Sequence, residues 1–126
     1  MTILASVLVA ITALLHVWFL ILEMFLWQKP LGLRTFRLSP ETARIMAPLA
    51  ANQGLYNGFL AAGLVWGLLA PDPTGFQVRV FFLACVIVAG VYGAITVQRG
   101  ILFVQALPAA LALAAVLLDG RVGQVP

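Results

Sequence analysis

Two ionisable side chains in the first hydrophobic run of the chain could carry acid–base chemistry. His16 and Glu23 are seven residues apart, which is nearly two turns of an α-helix, so both lie on one helix face, roughly 10 Å apart along its axis. A histidine and a carboxyl group in this arrangement could act as a general acid–base pair. The alternatives are structural. His16 could join two helices by a hydrogen bond, and Glu23 could pair with a base such as Arg99.

Four polar side chains interrupt a second hydrophobic run. Asn52 and Tyr56 are four residues apart, as are Gln53 and Asn57, so together they cover an arc of about 140° on a helix. Amides buried in hydrocarbon without partners are costly, and these side chains must therefore face protein, water or a ligand. The three amides could orient a substrate oxygen or stabilise developing charge. The alternative is that they only hold helices together.

Depth matching of the hydrophobic runs predicts that these groups form one site. If the first two runs are antiparallel helices, His16 lies level with Tyr56, and Glu23 lies level with the turn just before Asn52. We therefore predict an intramembrane pocket larger than roughly 300 Å³, closed to the outside, with His16 and Glu23 as catalytic residues. The predicted ligand-binding residues are Asn52, Gln53, Tyr56, Asn57, Tyr92 and Gln105.

The composition indicates an integral membrane protein. Of 126 residues, 63% are hydrophobic and 9% are charged, whereas soluble domains average about 25% charged residues. Cys85 stands alone in a hydrophobic run, so no intramolecular disulfide can form, and we interpret it as a packing residue. One histidine, a nearby carboxylate and this cysteine are fewer ligands than a zinc site needs, so we predict no metal site.

Four hydrophobic runs are long enough to be spans. The sequence predicts an all-α membrane protein, a four-transmembrane-helix bundle that forms a single domain over residues 1–126. Ser39 and Pro40 are typical of a helix N-terminus, and Glu41 in the first turn favours the same interpretation. Pro108 should free a backbone carbonyl near Val104 and bend the last span. The predicted spans are residues 3–27, 40–69, 76–97 and 101–118.

The basic residues predict the orientation in the membrane. Four of them, Lys29, Arg34, Arg37 and Arg44, cluster in and after the first connector, and the net charge is +3. Because cytoplasmic loops are enriched in Lys and Arg, we predict a multi-pass protein of the cell (inner) membrane, with the 28–39 loop cytoplasmic and both termini outside. A charge confined to one short segment does not indicate nucleic-acid binding.

Small residues recur on the second predicted span. Gly54 and Gly58 are four residues apart, as are Gly63 and Gly67, and such spacing lets helices approach closely. Either glycine face could join two copies in a homo-oligomer. The other predicted partners are the lipid bilayer and a small lipophilic ligand.

Four stretches carry a family resemblance: His16 with Glu23 and Met24, the run LAANQGLYNGFLAAG at 49–63, the Gly-Val-Tyr-Gly step at 90–93, and Gln-Ala-Leu-Pro-Ala at 105–109. Together they resemble a family of small integral membrane proteins catalogued as domain of unknown function 1304. The resemblance covers nearly the whole chain. It implies a four-helix membrane protein and no particular activity.

These observations favour a polytopic membrane protein whose polar pocket binds or transforms a small lipophilic molecule, with no cofactor or reaction class identified. One alternative is a proton-coupled small-molecule transporter or channel that works as an oligomer. The outer halves of the spans are almost purely apolar, which argues against a continuous polar pathway. Another alternative is a structural membrane subunit that docks through a glycine face.

Overall fold

Helices make up the protein. The structure, a computed structural model, describes residues 1–122, so residues 123–126 of the predicted domain lie outside the described part. No β-strand occurs within residues 1–122. The helices are α1 (Ile3–Met24), α2 (Pro30–Phe36), α3 (Pro40–Leu69), α4 (Thr74–Thr96) and α5 (Leu107–Val122), and a π-helical turn, Leu102–Ala106, leads directly into α5.

Side-chain caps define where the long helices begin. Thr2 accepts a hydrogen bond from the backbone N–H of Ala5 at the start of α1. Ser39 accepts from the N–H of Thr42, and Pro40 follows as the first residue of α3. Asp72 accepts from the N–H of Phe76 at the start of α4. Each cap satisfies a donor that the first turn of a helix leaves free. The predicted helix start at Ser39 and Pro40 is confirmed.

The first connector differs from the prediction. α1 ends at Met24 rather than at Trp27, and α2 occupies most of the stretch predicted as a loop. Pro30 begins this short helix, since a proline is favourable in the first turn. Trp27 packs on the ring of Phe36, 4.7 Å between centroids, and its indole N–H donates to the carbonyl of Ala43 at 3.0 Å. The connector is therefore docked on the beginning of α3.

The long helices form a closed ring in which each is antiparallel to its neighbours. α1 contacts α3 and α5, and α4 contacts the same two helices on the other side. The N–H and the hydroxyl of Thr2 both donate to Asp119, at 2.7 and 3.0 Å, which joins the start of α1 to the end of α5. α5 runs through Asp119, Gly120 and Arg121, residues predicted to close the last span.

The apolar core occupies the half of the ring that contains Thr2 and Asp119, which we call the terminal end. Its members are small or branched side chains that fill the space between four helices. They are Ala5, Val9, Ala13, Leu64, Leu83, Val86, Ala109, Ala112 and Val116. The opposite half, which we call the basic end, contains the polar side chains that the sequence singles out.

Three of the described helical stretches are long and apolar enough to cross a membrane: Ile3–Met24, Thr74–Thr96 and Leu102–Arg121. This indicates a multi-pass membrane protein, and many large apolar side chains are correspondingly exposed, Ile3 and Ile95 among them. The prediction had four spans. α3 has 30 residues but does not reach the same hydropathy, because its first turns are amphipathic and the Asn52–Asn57 stretch is polar.

Both glycine faces of α3 contact helices of the same chain. A Cβ on Gly54 would lie 2.6 Å from Cγ of Met24, and one on Gly67 would lie 2.7 Å from Cγ of Arg79. Gly58 packs on Leu20 of α1, and Gly63 packs on the ring of Phe82 of α4. A homo-oligomer through these faces stays a prediction, and it would have to share surface that the chain already uses.

Gly90 provides a test of this close packing. A Cβ there would lie 2.8 Å from the backbone nitrogen of Ala106, so backbone would have to move. We expect Gly90→Ala to destabilise the protein by about 1–3 kcal/mol, measured by SDS-titrated unfolding followed by circular dichroism. The control is Gly100→Ala, because nothing lies within 4 Å of a Cβ at Gly100. Equal stability of the two variants would contradict the packing described.

Candidate functional site

The inner face of α1 presents the polar groups of the candidate site. Thr12 and His16 are completely buried, and Glu23 is 9% exposed. The helical spacing turns all three residues toward the other helices, away from lipid, as expected for groups that lipid cannot solvate. His16 and Glu23, the predicted catalytic pair, thus both lie inside the bundle.

Glu23 is bound by α3. The side-chain amide of Asn57 donates to Oε1 of Glu23 at 2.6 Å, and Asn57 is itself 6% exposed. Gly54, which stands one turn before Asn57, lets the two helices approach, because a Cβ there would meet Cβ of Glu23 at 3.1 Å. The glycine face and the polar pair therefore depend on each other.

The depth prediction for Glu23 is wrong by more than one helical turn. Glu23 pairs with Asn57 rather than lying level with the turn before Asn52. The reason is that α1 ends at Met24, which packs on Gly54, while α3 begins at Pro40. α3 therefore extends roughly 20 Å beyond α1 at the basic end, at 1.5 Å per residue.

His16 is bound by α1 itself and by the π-helical turn. Its Nδ1 lies 2.8 Å from the carbonyl oxygen of Thr12, and its Nε2 lies 3.3 Å from the amide nitrogen of Gln105. Because a carbonyl can only accept, we assign the proton to Nδ1, and Nε2 then accepts from Gln105. The ring of Phe19 lies edge-on at 5.5 Å. Both ring nitrogens are satisfied, which suits a residue that is completely buried.

The π-helical turn has an identifiable cause. Pro108 lacks the N–H that would bond to the carbonyl of Val104 in an α-helix. The N–H of Leu107 donates instead to Leu102, five residues back. Gln105 belongs to this turn, and so does Ala106, which packs on Gly90. Single π-helical turns are frequent at functional sites, and here the turn presents Gln105 to His16.

The two buried polar pairs are separate. Glu23 binds Asn57 of α3, whereas His16 binds Gln105 of the last span. In residues 1–122, no hydrogen bond joins His16 to Glu23, and the ion pair of this part of the chain is Arg79 with Asp72 rather than Glu23 with Arg99. A group of three or more His, Cys, Asp or Glu side chains with metal-binding geometry is also absent there. The bundle therefore holds hydrogen-bonding groups at two separate levels along its axis, one at Glu23 and Asn57 and one at His16 and Gln105.

The remaining predicted ligand-binding residues are exposed. Tyr56 is 54% exposed and Tyr92 is 69% exposed, and Asn52 and Gln53 are also exposed. The polar arc of α3 is wider than the part of the helix surface that α1 covers. Of the four side chains in the arc, only Asn57 is buried against α1. The structure thus brings together Asn57 with Glu23, and Gln105 with His16, but not all eight predicted site residues.

Gln53 shows that the bundle is open at the basic end. On a helical wheel of α3, Asn57 lies about 40° to one side of Gln53, and Gly67 lies about 40° to the other side. Asn57 faces α1 and Gly67 faces α4. Gln53 therefore points between α1 and α4, toward the inside, and yet it is exposed. The contacts that join α3 to α4 lie nearer the connecting turn, at Gly63 and Gly67.

Two open grooves lie on α4 and near its end. One has a volume of about 510 Å³ and is lined by Val91, Ala94, Ile95, Arg99, Leu102 and Phe103. The other has a volume of about 520 Å³ and is lined by Phe81, Ala84, Cys85, Val88, Ala89 and Tyr92. Neither groove includes His16, Glu23 or Asn52, the residues predicted to line a closed pocket, and Tyr92 is the predicted site residue that they contain.

Sequence reasoning missed a buried charge at the terminal end. Arg79 is 4% exposed; it donates to the carbonyl of Gly67 at 2.6 Å and to Asp72 at 2.9 Å. The signal was present, since an arginine inside a hydrophobic run needs a partner, and Asp72 stands two turns before it. The lack of a side chain at Gly67 makes room for the arginine stem.

The Glu23–Asn57 pair should show strong coupling. Asn57→Leu leaves the buried carboxyl group without its donor, and we expect a loss of about 1–3 kcal/mol in unfolding free energy. Glu23→Leu should cost a similar amount. The double variant should recover part of the loss, since replacing both partners with apolar groups can be nearly neutral.

A double-mutant cycle in SDS-titrated unfolding measures this coupling, which should be about 0.5–3 kcal/mol. Asn52→Leu is the matched control, because this exposed amide should change stability by no more than about 0.5 kcal/mol. Strictly additive effects of the two single substitutions would rule out the pair as described.

Comparison with known proteins identifies the family. The family model described as "Protein of unknown function (DUF1304)" matches residues 10–117. A relative is the "Uncharacterized protein YpaA" of Lactococcus lactis subsp. lactis (strain IL1403), which is 30% identical over 115 residues, 90% of this chain and 96% of that protein. No solved structure matches the chain. The chain belongs to the DUF1304 family, and the resemblance seen in its sequence is confirmed.

Proposed function

We propose that this DUF1304 protein crosses the cell membrane four times and binds a small lipophilic molecule with a hydrogen-bonding head beside Glu23 and Asn57. The observation that carries the proposal is the hydrogen bond between these two side chains inside a candidate span, next to an open end of the bundle. Buried polar groups in a membrane are costly and are typical of binding or transport sites.

The chain path supports α3 as the fourth span. α1 ends at the basic end of the bundle, and α4 begins at the terminal end beside Gly67 and Ala70. α3 is the connection between them, and it packs on α1 through Gly54 and on α4 through Gly67. A helix that lies along two spans over this length is expected to cross with them. At about 45 Å for its 30 residues, it is also long enough.

The charge distribution supports the predicted orientation. Five of the seven basic residues lie at the basic end: Lys29, Arg34, Arg37, Arg44 and Arg99. At the terminal end, Arg79 is paired with Asp72, and Arg121 stands two residues after Asp119. Because positive charge is retained on the cytoplasmic side, the proposed topology has the basic end in the cytoplasm of a bacterial-type cell and the terminal end outside.

The polar groups suit a ligand that donates a hydrogen bond. A carboxyl group offers several acceptor positions, and Asn57 occupies one oxygen of Glu23. A hydroxyl or amide of the ligand could take another, with the exposed amide of Gln53 beside it. The ligand's apolar part would extend from the open end of the bundle into the surrounding lipid.

Binding is better supported than acid–base catalysis. The predicted partner of Glu23, His16, is bonded instead to Thr12 and Gln105. Conduction through one chain has less support, because the apolar core closes the terminal half. A transporter or channel would have to form its pathway between copies. In a structural subunit, the polar pairs would serve only to join helices. Binding of a ligand at Glu23 would distinguish the proposed function from that role.

Cysteine labelling tests the four-span topology. In a Cys85→Ala background, Thr35→Cys of α2 should react with a membrane-impermeant maleimide only after the cells are permeabilised. Thr74→Cys, at the start of α4, should react in intact cells. Both positions are exposed, so access depends on the side of the membrane. Reaction of both cysteines from the same side would mean that α3 does not cross.

Photolabelling tests the ligand site. A long-chain alcohol with a diazirine should label residues 53–59 saturably, and unlabelled alcohol should compete. Glu23→Leu and Gln53→Leu should each reduce the apparent affinity, the former by about tenfold, because a hydrogen bond between the ligand and the carboxyl group is lost. Asp119→Asn, at the other end, is the control with unchanged labelling. Labelling spread evenly over the exposed apolar side chains would contradict a site at Glu23.

A further inference from the structure

We propose that the groove lined by Val91, Ala94, Ile95, Arg99, Leu102 and Phe103, the Arg99 groove, is a specific site for an anionic phospholipid. Arg99 would bind the phosphate, and the apolar walls would hold an acyl chain. This site is distinct from the proposed ligand site at Glu23, and it concerns a different partner.

The lining of the Arg99 groove is amphipathic in the way that such a lipid requires. Five of its six residues are apolar, and the sixth is an arginine. Ile95 is 79% exposed and Phe103 is 64% exposed, so the walls are open to the lipid side of the bundle. The volume of about 510 Å³ is within the range of small-molecule sites.

Arg99 is placed at the level of lipid headgroups. It lies in the short break between the end of α4 at Thr96 and the last span, which begins at Leu102. Residues that flank spans at such breaks lie at the membrane interface. The apolar residues of the groove lie on the hydrocarbon side of Arg99, so a phosphate on the guanidinium would direct its acyl chain along Ile95 and Phe103.

The charge of Arg99 has no acidic partner in the described part of the chain. Within residues 1–122 its side chain takes part in no ion pair or hydrogen bond, and the salt bridge there belongs to Arg79 and Asp72. Arg99 is one of five basic residues at this end, so the local field favours an anion. An arginine can bind a phosphate through two parallel hydrogen bonds, which a lysine cannot do.

The groove is preformed by close helix packing. Gly90 packs on the backbone of Ala106, and a Cβ on Gly93 would lie 3.2 Å from Ile101. These contacts fix α4 against the π-helical turn, and the two elements supply the two walls. A ligand would therefore not have to order the walls as it binds, which favours affinity.

These features together favour an anionic phospholipid over other occupants. Free phosphate would use Arg99 and leave the apolar walls uncovered. A zwitterionic phospholipid has the phosphate but also brings a cationic ammonium group, which the five basic residues at this end disfavour. The bilayer supplies anionic lipids at this depth. A second copy of the chain would have to present an acidic side chain to Arg99. Glu41 is the exposed acid at this end, so a dimer of this kind would depend on Glu41.

Native mass spectrometry and thermal unfolding of the full chain test the proposal. Phosphatidylglycerol should bind wild type more tightly than phosphatidylcholine and should raise the unfolding midpoint. Arg99→Gln should weaken phosphatidylglycerol binding by about tenfold, Phe103→Ala should weaken both lipids, and Arg99→Lys should retain part of the preference. Arg34→Gln is the matched control, since it removes an exposed charge at the same end outside the groove.

Each alternative has its own outcome. Equal loss of phosphatidylglycerol binding in Arg34→Gln and Arg99→Gln would mean general attraction to the basic end and would overturn the proposal. If inorganic phosphate raised the unfolding midpoint as much as the lipid does, Arg99 would be assigned to a free anion. A dimer that Arg99→Gln or Glu41→Gln dissociates would assign the groove to a second copy. Circular dichroism and lipid-free unfolding of each variant separate loss of binding from loss of fold.

Discussion

The hydrogen bond between Asn57 and Glu23 constrains the packing of half the bundle. A carboxyl group in a span needs a partner from the protein, because hydrocarbon supplies none. Asn57 can supply it only if α1 and α3 lie close together, and Gly54 allows this approach. The pair therefore fixes the register of the two helices. In this register α1 ends beside Gly54 and does not cover Gln53, which leaves the bundle open at the basic end.

Much of the fold follows from short-range rules that the sequence expresses directly. Ser39 and Pro40 mark the start of α3, and the seven-residue spacing places His16 and Glu23 on one buried face. The relative depth of the helices could not be obtained in this way. It depends on where α1 ends. The chain past Met24 leads into the docked helix α2 and does not continue the first span to residue 27, as predicted.

The buried polar residues of the candidate site were predictable, but their pairing was not: the predicted pair, His16 with Glu23, does not form, and each residue has another partner. Depth matching correctly brought Gln105 near His16, since both sit on inner faces of neighbouring helices. It could not determine which residues of a wide polar arc would be covered, because cover depends on the spacing of the helices. Tyr56 is exposed for that reason. The burial of Arg79 was missed, although an arginine inside an apolar run needs a partner.

The overhang of α3 has a mechanical consequence. The segment from Pro40 to the level of Met24 projects beyond α1 as a single helix, with the docked connector held against it by Trp27. Pro48 lies within this segment and leaves the carbonyl of Arg44 without its helical donor, which is the usual cause of a kink. This missing bond lies about two turns before Gly54 and makes α3 easier to bend at that position. Bending there would move the first part of α3, with Arg44, relative to the membrane, while Gly54 and Asn57 stay fixed on α1.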